Sequence, residues 1–278
     1  MFIVYFKVYE NHFFVRSFDK LRMSGGFLGG FSMIKKKDKE IKGELIFGIH
    51  PVVELLKAKR RKLISIYTTK PTPQAFEDIQ KLWPKYPVAI QYVAREVLDR
   101  MVGTTDHQGV VAWAHSFPYR KQFFDPKKQK FLVMIDGVQD PRNLGAILRS
   151  AYCTGVDGAI IIKRGGAQLT GIAIKSSAGL SEHLEIYAAQ SAAAAIIELK
   201  NAGYTPYLAT FDGENAVTCN YKLPLCAVIG GEGTGISKSI LSSGVHVTLP
   251  QKDSDISYNA SVAAGILLFL ISARQGKL

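Results

Sequence analysis

From Phe131 to the C-terminus the chain alternates short apolar runs with stretches of helical spacing. The runs fall at 131–136, 158–162, 184–188, 206–211, 225–230 and 245–249. Helices are expected over 141–154, 172–179, 191–202, 236–242 and 259–274. Strands apolar at nearly every position need cover on both faces, and helices between parallel strands provide it. The pattern predicts an α/β domain on a parallel sheet, residues 131–278.

The turn after its first strand is the most informative. It reads MIDGVQDPRNLGAILRSAYCTG, from Met134 to Gly155. The apolar run stops at Asp136-Gly137; Asp140 suits a helix N-cap, Pro141 the first helical position, and Gly155 a helix end. Ligands of α/β sheets bind where strands run through such loops into helices. This turn carries Asn143 and Arg149. At 100° per residue, Arg142, Gly145, Ala146 and Arg149 share one stripe. Helical side chains lean toward the N-terminus, so Arg149 is expected to lie over the small residues, beside Arg142, at a place suited to phosphate. A surface arginine in a salt bridge is the alternative.

Two further stretches carry polar groups at strand ends. Gly230-Gly231-Glu232-Gly233-Thr234-Gly235 follows an apolar run, but Ile236 breaks the G-x-G-x-x-G pattern and no Gly-Lys-Ser/Thr is present. What remains is a glycine-rich turn that lets a ligand approach the backbone, with Glu232 its one ionisable side chain, alternatively a helix cap. The third stretch runs from Leu249-Pro250 to Asp255-Ile256-Ser257-Tyr258-Asn259-Ala260-Ser261, where Ser257 or Asn259 can cap the last helix. No charge occurs from Ile256 to Ala273, yet the polar residues at its start leave too short an apolar run to span a bilayer. This predicts a buried core helix and no membrane partner.

The N-terminal half reads differently. Residues 1–42 show no regular periodicity and suggest a disordered or mis-assigned extension, with Met23 or Met33 as start, or else a basic RNA-binding arm. Residues 43–115 predict a small α/β domain with helices at 52–58, 74–83 and 95–101 and strands at 63–68, 88–93 and 110–114; residues 116–130 read as a linker. Lys57, Lys59, Arg60, Arg61 and Lys62 cluster at a helix end, where they favour the helix dipole and are expected to contact phosphate. His107 reads as a turn residue. The net charge of +12 suits a polyanionic partner such as nucleic acid. Cys153, Cys219 and Cys226 lack disulfide or zinc spacing, so no metal is expected and a reducing cytoplasm fits.

DPRNLGAILRSA, IGGEGTGIS and LPQKDSDISYNASVAAGILL, in that order, resemble the three motifs of the SpoU (TrmH) family of RNA ribose 2′-O-methyltransferases. IFGIHPV, HQGVVAW and LTGIAIKSSAG resemble the family branch with an N-terminal substrate-binding domain. The resemblance runs from about residue 44 to the end and is strongest to the branch acting on a guanosine of 23S rRNA. It implies a SPOUT-type parallel sheet with a C-terminal trefoil knot, preceded by a small L30e-like domain. It implies S-adenosylmethionine as cofactor and a homodimer with active sites at the interface. Asn143, Arg149, Glu232 and Asn259 match the family's catalytic positions. Gly230, Leu249, Ser257 and Tyr258 match its cofactor-binding positions, Tyr258 replacing the usual leucine. The same chemistry on tRNA, or a non-catalytic RNA-binding assembly factor on this fold, are the alternatives.

Overall fold

A computed structural model describes residues 6–9, 12–15, 43–253 and 257–278. Met23, Met33, the Lys35–Lys39 run and residues 254–256 of the third stretch lie outside the described residues. The chain forms two compact units, Met1–Gly43 and Glu44–Leu278. In the first, where the sequence predicts no regular structure, β1 (Phe6–Tyr9) and β2 (His12–Val15) pair antiparallel, Phe6 opposite Val15 and Tyr9 opposite His12.

The second unit begins with β3 (Gly43–Phe47), a strand the periodicity did not reveal because only its end is buried. Then follow α1 (Ile49–Ala58), β4 (Leu63–Thr68), α2 (Phe76–Lys81), β5 (Ala89–Tyr92), α3 (Arg95–Val102) and β6 (Val110–His115). The sheet order is β3-β6-β4-β5, with β4 parallel to β5 and antiparallel to β6. His107 is the turn residue expected: its Nδ1 accepts from Gly109 N at 2.9 Å and its Nε2 lies 2.7 Å from Asp99 Oδ1. Accepting at Nδ1 leaves the proton on Nε2, directed at the carboxylate.

Next come β7 (Phe131–Asp136), α4 (Pro141–Cys153), β8 (Gly158–Ile162), α5 (Gly171–Ser176), β9 (Ile186–Ala189), α6 (Ala192–Asn201), β10 (Thr205–Asn215), β11 (Leu225–Gly230), β12 (Val245–Thr248) and α7 (Ala260–Arg274). The sheet is parallel throughout, in the order β12-β10-β11-β7-β8-β9. β7, β8 and β11 keep the predicted bounds. The helix expected over 236–242 is instead a 3-10 turn, Lys238–Ser243. β10 extends four residues beyond its predicted end and shifts register between Ala209 and Glu214.

The segment expected as a linker is packed. Phe117 and Phe124 are buried, and Arg120 N donates to Ile186 O at 2.8 Å on the free edge of β9. The two halves share one apolar core, in which Ile46, Val52 and Ile66 join Phe131, Ile147 and Ile174. Burying large aliphatic side chains stabilises by roughly 1.5–3 kcal/mol each. Polar ties cross the same seam. Gln108 Oε1 accepts from Ile49 N and from Lys175 Nζ, at 3.2 and 2.8 Å. Burial pushes the Lys175 ammonium below its ordinary pKa.

Arg60 and Arg61 correct the phosphate reading of the basic cluster. Arg61 donates to Glu182 Oε1 and Oε2 at 2.5 and 3.1 Å and to Glu44 Oε2 at 2.7 Å. Arg60 donates to Leu184 O and pairs with Glu185 at 3.3 Å. These guanidiniums hold the seam, because a buried carboxylate demands a charged partner.

Glu54 forms a third tie, accepting from Lys57 at 2.8 Å and lying 2.8 Å from His183 Nε2. Burial alone would raise its pKa, but the hydrogen bonds and charges of Lys57 and His183 outweigh it and hold the carboxyl below its ordinary value of 4.5. A depressed folded-state pKa means that the stabilisation is fully present above the unfolded value and is lost as pH falls toward the folded one. The stability gap between wild type and Glu54→Gln is therefore expected to narrow from about pH 6 to about pH 3. Urea melts across that range test this; a gap that stays constant or widens contradicts it.

Candidate active site

β7 ends at Asp136, which is buried. Its Oδ2 accepts from Ser237 N at 2.8 Å and its Oδ1 from Ser237 Oγ at 3.0 Å. These bonds draw the glycine-rich loop after β11 across the end of the sheet. The loop can lie there because the backbones nearly touch. A Cβ on Gly231 would stand 2.2 Å from Gly137 O, and one on Gly230 would stand 2.3 Å from the Gly235 carbonyl carbon. No side chain fits at either position, so these glycines are required by contact and not by flexibility. Asp136 marked only the end of a strand in the sequence.

The loop forms one wall of a cleft of about 750 Å³. That volume lies within the range of small-molecule sites. Ile229, Val247, Leu249 and Leu267 supply apolar lining; Thr210, Asp212, Glu232, Gln251 and Ser257 supply polar lining. Of the predicted residues, Gly230, Glu232, Leu249, Ser257, Tyr258 and Asn259 all line this cleft. Three segments far apart in sequence thus meet at the C-terminal edge of the sheet.

Asn143 joins them indirectly. It lies in the first turn of α4, which Asp140 caps by accepting from Arg142 N at 2.8 Å with Pro141 behind it. Asn143 Nδ2 donates to Glu232 Oε1 at 2.5 Å. Glu232 therefore caps no helix; it bridges the first stretch to the second. Asn259 does cap α7: its Oδ1 accepts from Ser261 N at 2.9 Å and from Ser261 Oγ at 2.7 Å. That leaves its side-chain amide N–H groups for a ligand.

Arg149 departs from the expected stripe. A Cβ on Gly145 would stand 2.2 Å from Ala173 O, so α5 covers the position over which Arg149 was expected to lie. Arg149 is exposed, lies outside the cleft lining, and has no hydrogen bond or ion pair among the described residues. A lone sequence stripe cannot reveal which neighbour covers it.

Sequence reasoning missed the β10 extension. Thr210, Phe211 and Asp212 line the cleft, and Phe211 is 71% exposed. The signal was the run Thr-Phe-Asp-Gly-Glu-Asn, too polar to continue a buried strand. The cysteines have no part in the site. Burial pushes the Cys219 thiol up to about 11 and raises that of Cys226, so neither is a thiolate at neutral pH.

The last helix is only half buried, against expectation. Leu267, Leu268 and Ile271 face the core, while Val262, Ile266 and Phe269 are exposed along one side. α7 packs on α4, where a Cβ on Gly265 would meet Ser150 Oγ at 3.4 Å. Among the described residues no helix is long and apolar enough to cross a membrane.

Comparison with known proteins gives the chain's family and fold. Residues 130–269 match the SpoU rRNA Methylase family, and residues 45–120 match the family described as RNA 2′-O ribose methyltransferase substrate binding. A Bacillus subtilis (strain 168) protein, YacO, named for the TrmH family of tRNA/rRNA methyltransferases, is 33% identical over 244 residues, 84% of this chain and 96% of the relative. Among solved structures, an AdoMet-bound rRNA methyltransferase from Sinorhizobium meliloti superposes with a TM-score of 0.71 at 22% identity, covering 85% of this chain and 88% of that one. An RNA 2′-O ribose methyltransferase superposes at 0.73 and 22%, covering 86% and 90%. At that identity the structural likeness speaks for the fold.

Proposed function

The chain belongs to the SpoU rRNA methylase family, and from that premise we propose that it methylates a ribose 2′-hydroxyl in RNA, using S-adenosylmethionine bound in the cleft. The single observation that carries this reading is the meeting of the second and third motif stretches in one cleft, with Asn143 of the first bonded to the cleft-lining Glu232. The favoured substrate is a guanosine of 23S rRNA. The substrate-binding match over residues 45–120 and the net charge of +12 support an RNA partner. Methylation of tRNA is the second reading, because the curated relative's name includes both RNAs. A cytoplasmic site of action goes with either.

The residues fit the cofactor. The Gly230-Gly231 backbone offers close approach, and Ile229, Leu249 and Leu267 suit an apolar ring system. The carboxylates of Asp212 and Glu232 suit a cation. When bound, S-adenosylmethionine supplies an activated methyl group on a positively charged sulfur. The chain must then align the hydroxyl and exclude water. Arg149 anchors the target phosphate and, through its charge, favours loss of the hydroxyl proton. A guanidinium holds its proton too tightly to serve as the base. Asn143 holds Glu232, and Asn259 fixes the start of α7 beside the cleft. Tyr258 lines the cleft; a contact made through its backbone would leave cofactor binding indifferent to the change from leucine, whereas a ring turned into the cleft would alter the packing of the adenine.

The family's C-terminal trefoil knot and L30e-like N-terminal domain belong to the same proposal. In its support, α7 returns to pack against α4 and β11 after the cleft loops, and residues 43–115 form a compact mixed sheet with helices. A homodimer also belongs to it. Val262, Ile266 and Phe269 form an exposed apolar stripe beside α4, suited to a second copy. A site completed between two copies supplies the Arg149 that one chain leaves outside the cleft. Ile266→Asp with Phe269→Asp is expected to give a monomer by sedimentation equilibrium and at least about tenfold less methyl transfer; a fully active monomer removes the dimer from the proposal. For the function itself, S-adenosylmethionine should bind in a calorimetric titration. Ribose-methylation maps of rRNA and tRNA, with and without the gene, should differ at a guanosine of 23S rRNA. A difference in tRNA alone selects the second reading, and no cofactor binding refutes both.

A further inference from the structure

The loop after β8 has no part in the site described so far. Lys163, Arg164, Gly165 and Gly166 leave the C-terminal end of β8, the sheet edge that also carries the Asn143–Glu232 contact. Lys163 and Arg164 are exposed, and among the described residues neither side chain has a hydrogen-bond or ion-pair partner.

The loop is knitted from inside. Gln168 Nε2 donates to the carbonyl oxygens of Ile162, Lys163 and Gly166, at 3.4, 3.1 and 3.0 Å. One amide thus engages three acceptors that would repel an anion. Gly165 has φ +77, the left-handed region that glycine adopts without strain. The backbone N–H groups of Arg164, Gly165 and Gly166 have no acceptor among the described residues. Successive N–H groups around a left-handed residue make a concave anion seat, and two unpaired cations stand on the same loop. The loop is also fixed to the site. Ala167 N donates to Val138 O at 2.7 Å, and the neighbouring Gly137 is the residue on which Gly231 rests.

We infer that residues 163–166 form a phosphate seat that grips the RNA backbone beside the target nucleotide. This rests on the reading of the chain as an RNA methyltransferase and adds a substrate-binding site to it. A phosphodiester fits better than a single carboxylate ligand because the loop offers both strong charge and several directed N–H donors. The seat recognises backbone, so it adds affinity without sequence preference.

The test compares wild type with Lys163→Ala/Arg164→Ala, using fluorescence anisotropy on in vitro transcribed 23S rRNA over a range of potassium chloride concentrations. Loss of two phosphate contacts is expected to reduce the slope of log K against log[salt] by about 1.5 and to weaken binding at low salt on the order of tenfold. S-adenosylmethionine affinity and melting temperature should not change. Gln168→Glu, which removes the amide donor and adds a negative charge, should weaken RNA binding in the same direction with both cations retained. An unchanged salt slope in the double variant overturns the inference. If wild type transfers no methyl to any RNA, the enzymatic reading fails instead; the slope comparison still judges the loop, since backbone contact needs no target sequence.

Discussion

Arg149→Lys is expected to lower single-turnover methyl transfer on saturating RNA by about 10²-fold, and Arg149→Ala by more. Lysine keeps the charge and loses the planar fork that grips a phosphate with two parallel N–H bonds. Arg149 is exposed and forms no internal bond among the described residues, so neither change should unfold the protein. It also stands outside the cleft lining, so S-adenosylmethionine affinity should hold within about twofold in a calorimetric titration. That separation gives the test its force. Full turnover in the lysine variant removes bidentate anchoring, and full turnover in the alanine variant removes Arg149 from the chemistry altogether.

Arg61→Met is expected to have the largest effect on stability, a loss of about 3–5 kcal/mol. The Arg61 and Glu182 side chains are 2% and 1% exposed, so the variant leaves a carboxylate in the core with no cation to balance it. Domains of this kind hold only about 5–15 kcal/mol in total. At about 2–4 °C per kcal/mol, the midpoint should fall by roughly 10 °C. Arg61→Met/Glu182→Leu should recover most of the loss, because it removes the buried carboxylate together with its cation and leaves only the His115 carbonyl and the partly exposed Glu44 without their Arg61 donor. Calorimetric melts of both variants decide it. If the double variant is as unstable as the single, packing against Phe117, whose ring centroid lies 5.4 Å from the guanidinium carbon, outweighs the ion pair.

The two predictions draw on arginines that the sequence reads alike, both as available to phosphate. Arg61 stood in a basic cluster and looked available to phosphate; the fold buries it against Glu182, 121 residues away. Arg149 was expected over Gly145, beside Arg142; α5 takes that place and leaves Arg149 exposed. Charge and spacing state what a side chain is, while its availability depends on what packs over it.

By itself the sequence determined the order of strands and helices from Phe131 onward, the cap at Asp140-Pro141, and the three stretches that line or join the cleft. These are legible because apolar periodicity and capping act over a few residues. The tertiary structure alone decided the rest: that residues 116–130 pack against the sheet edge, that β10 bulges to bring Thr210–Asp212 into the cleft, that Asp136 holds Ser237, and that α7 keeps an apolar face exposed. The first three are contacts between residues distant in sequence, fixed by which backbones approach closely enough to exclude a side chain or complete a hydrogen bond; the last depends on which face of α7 its neighbours cover.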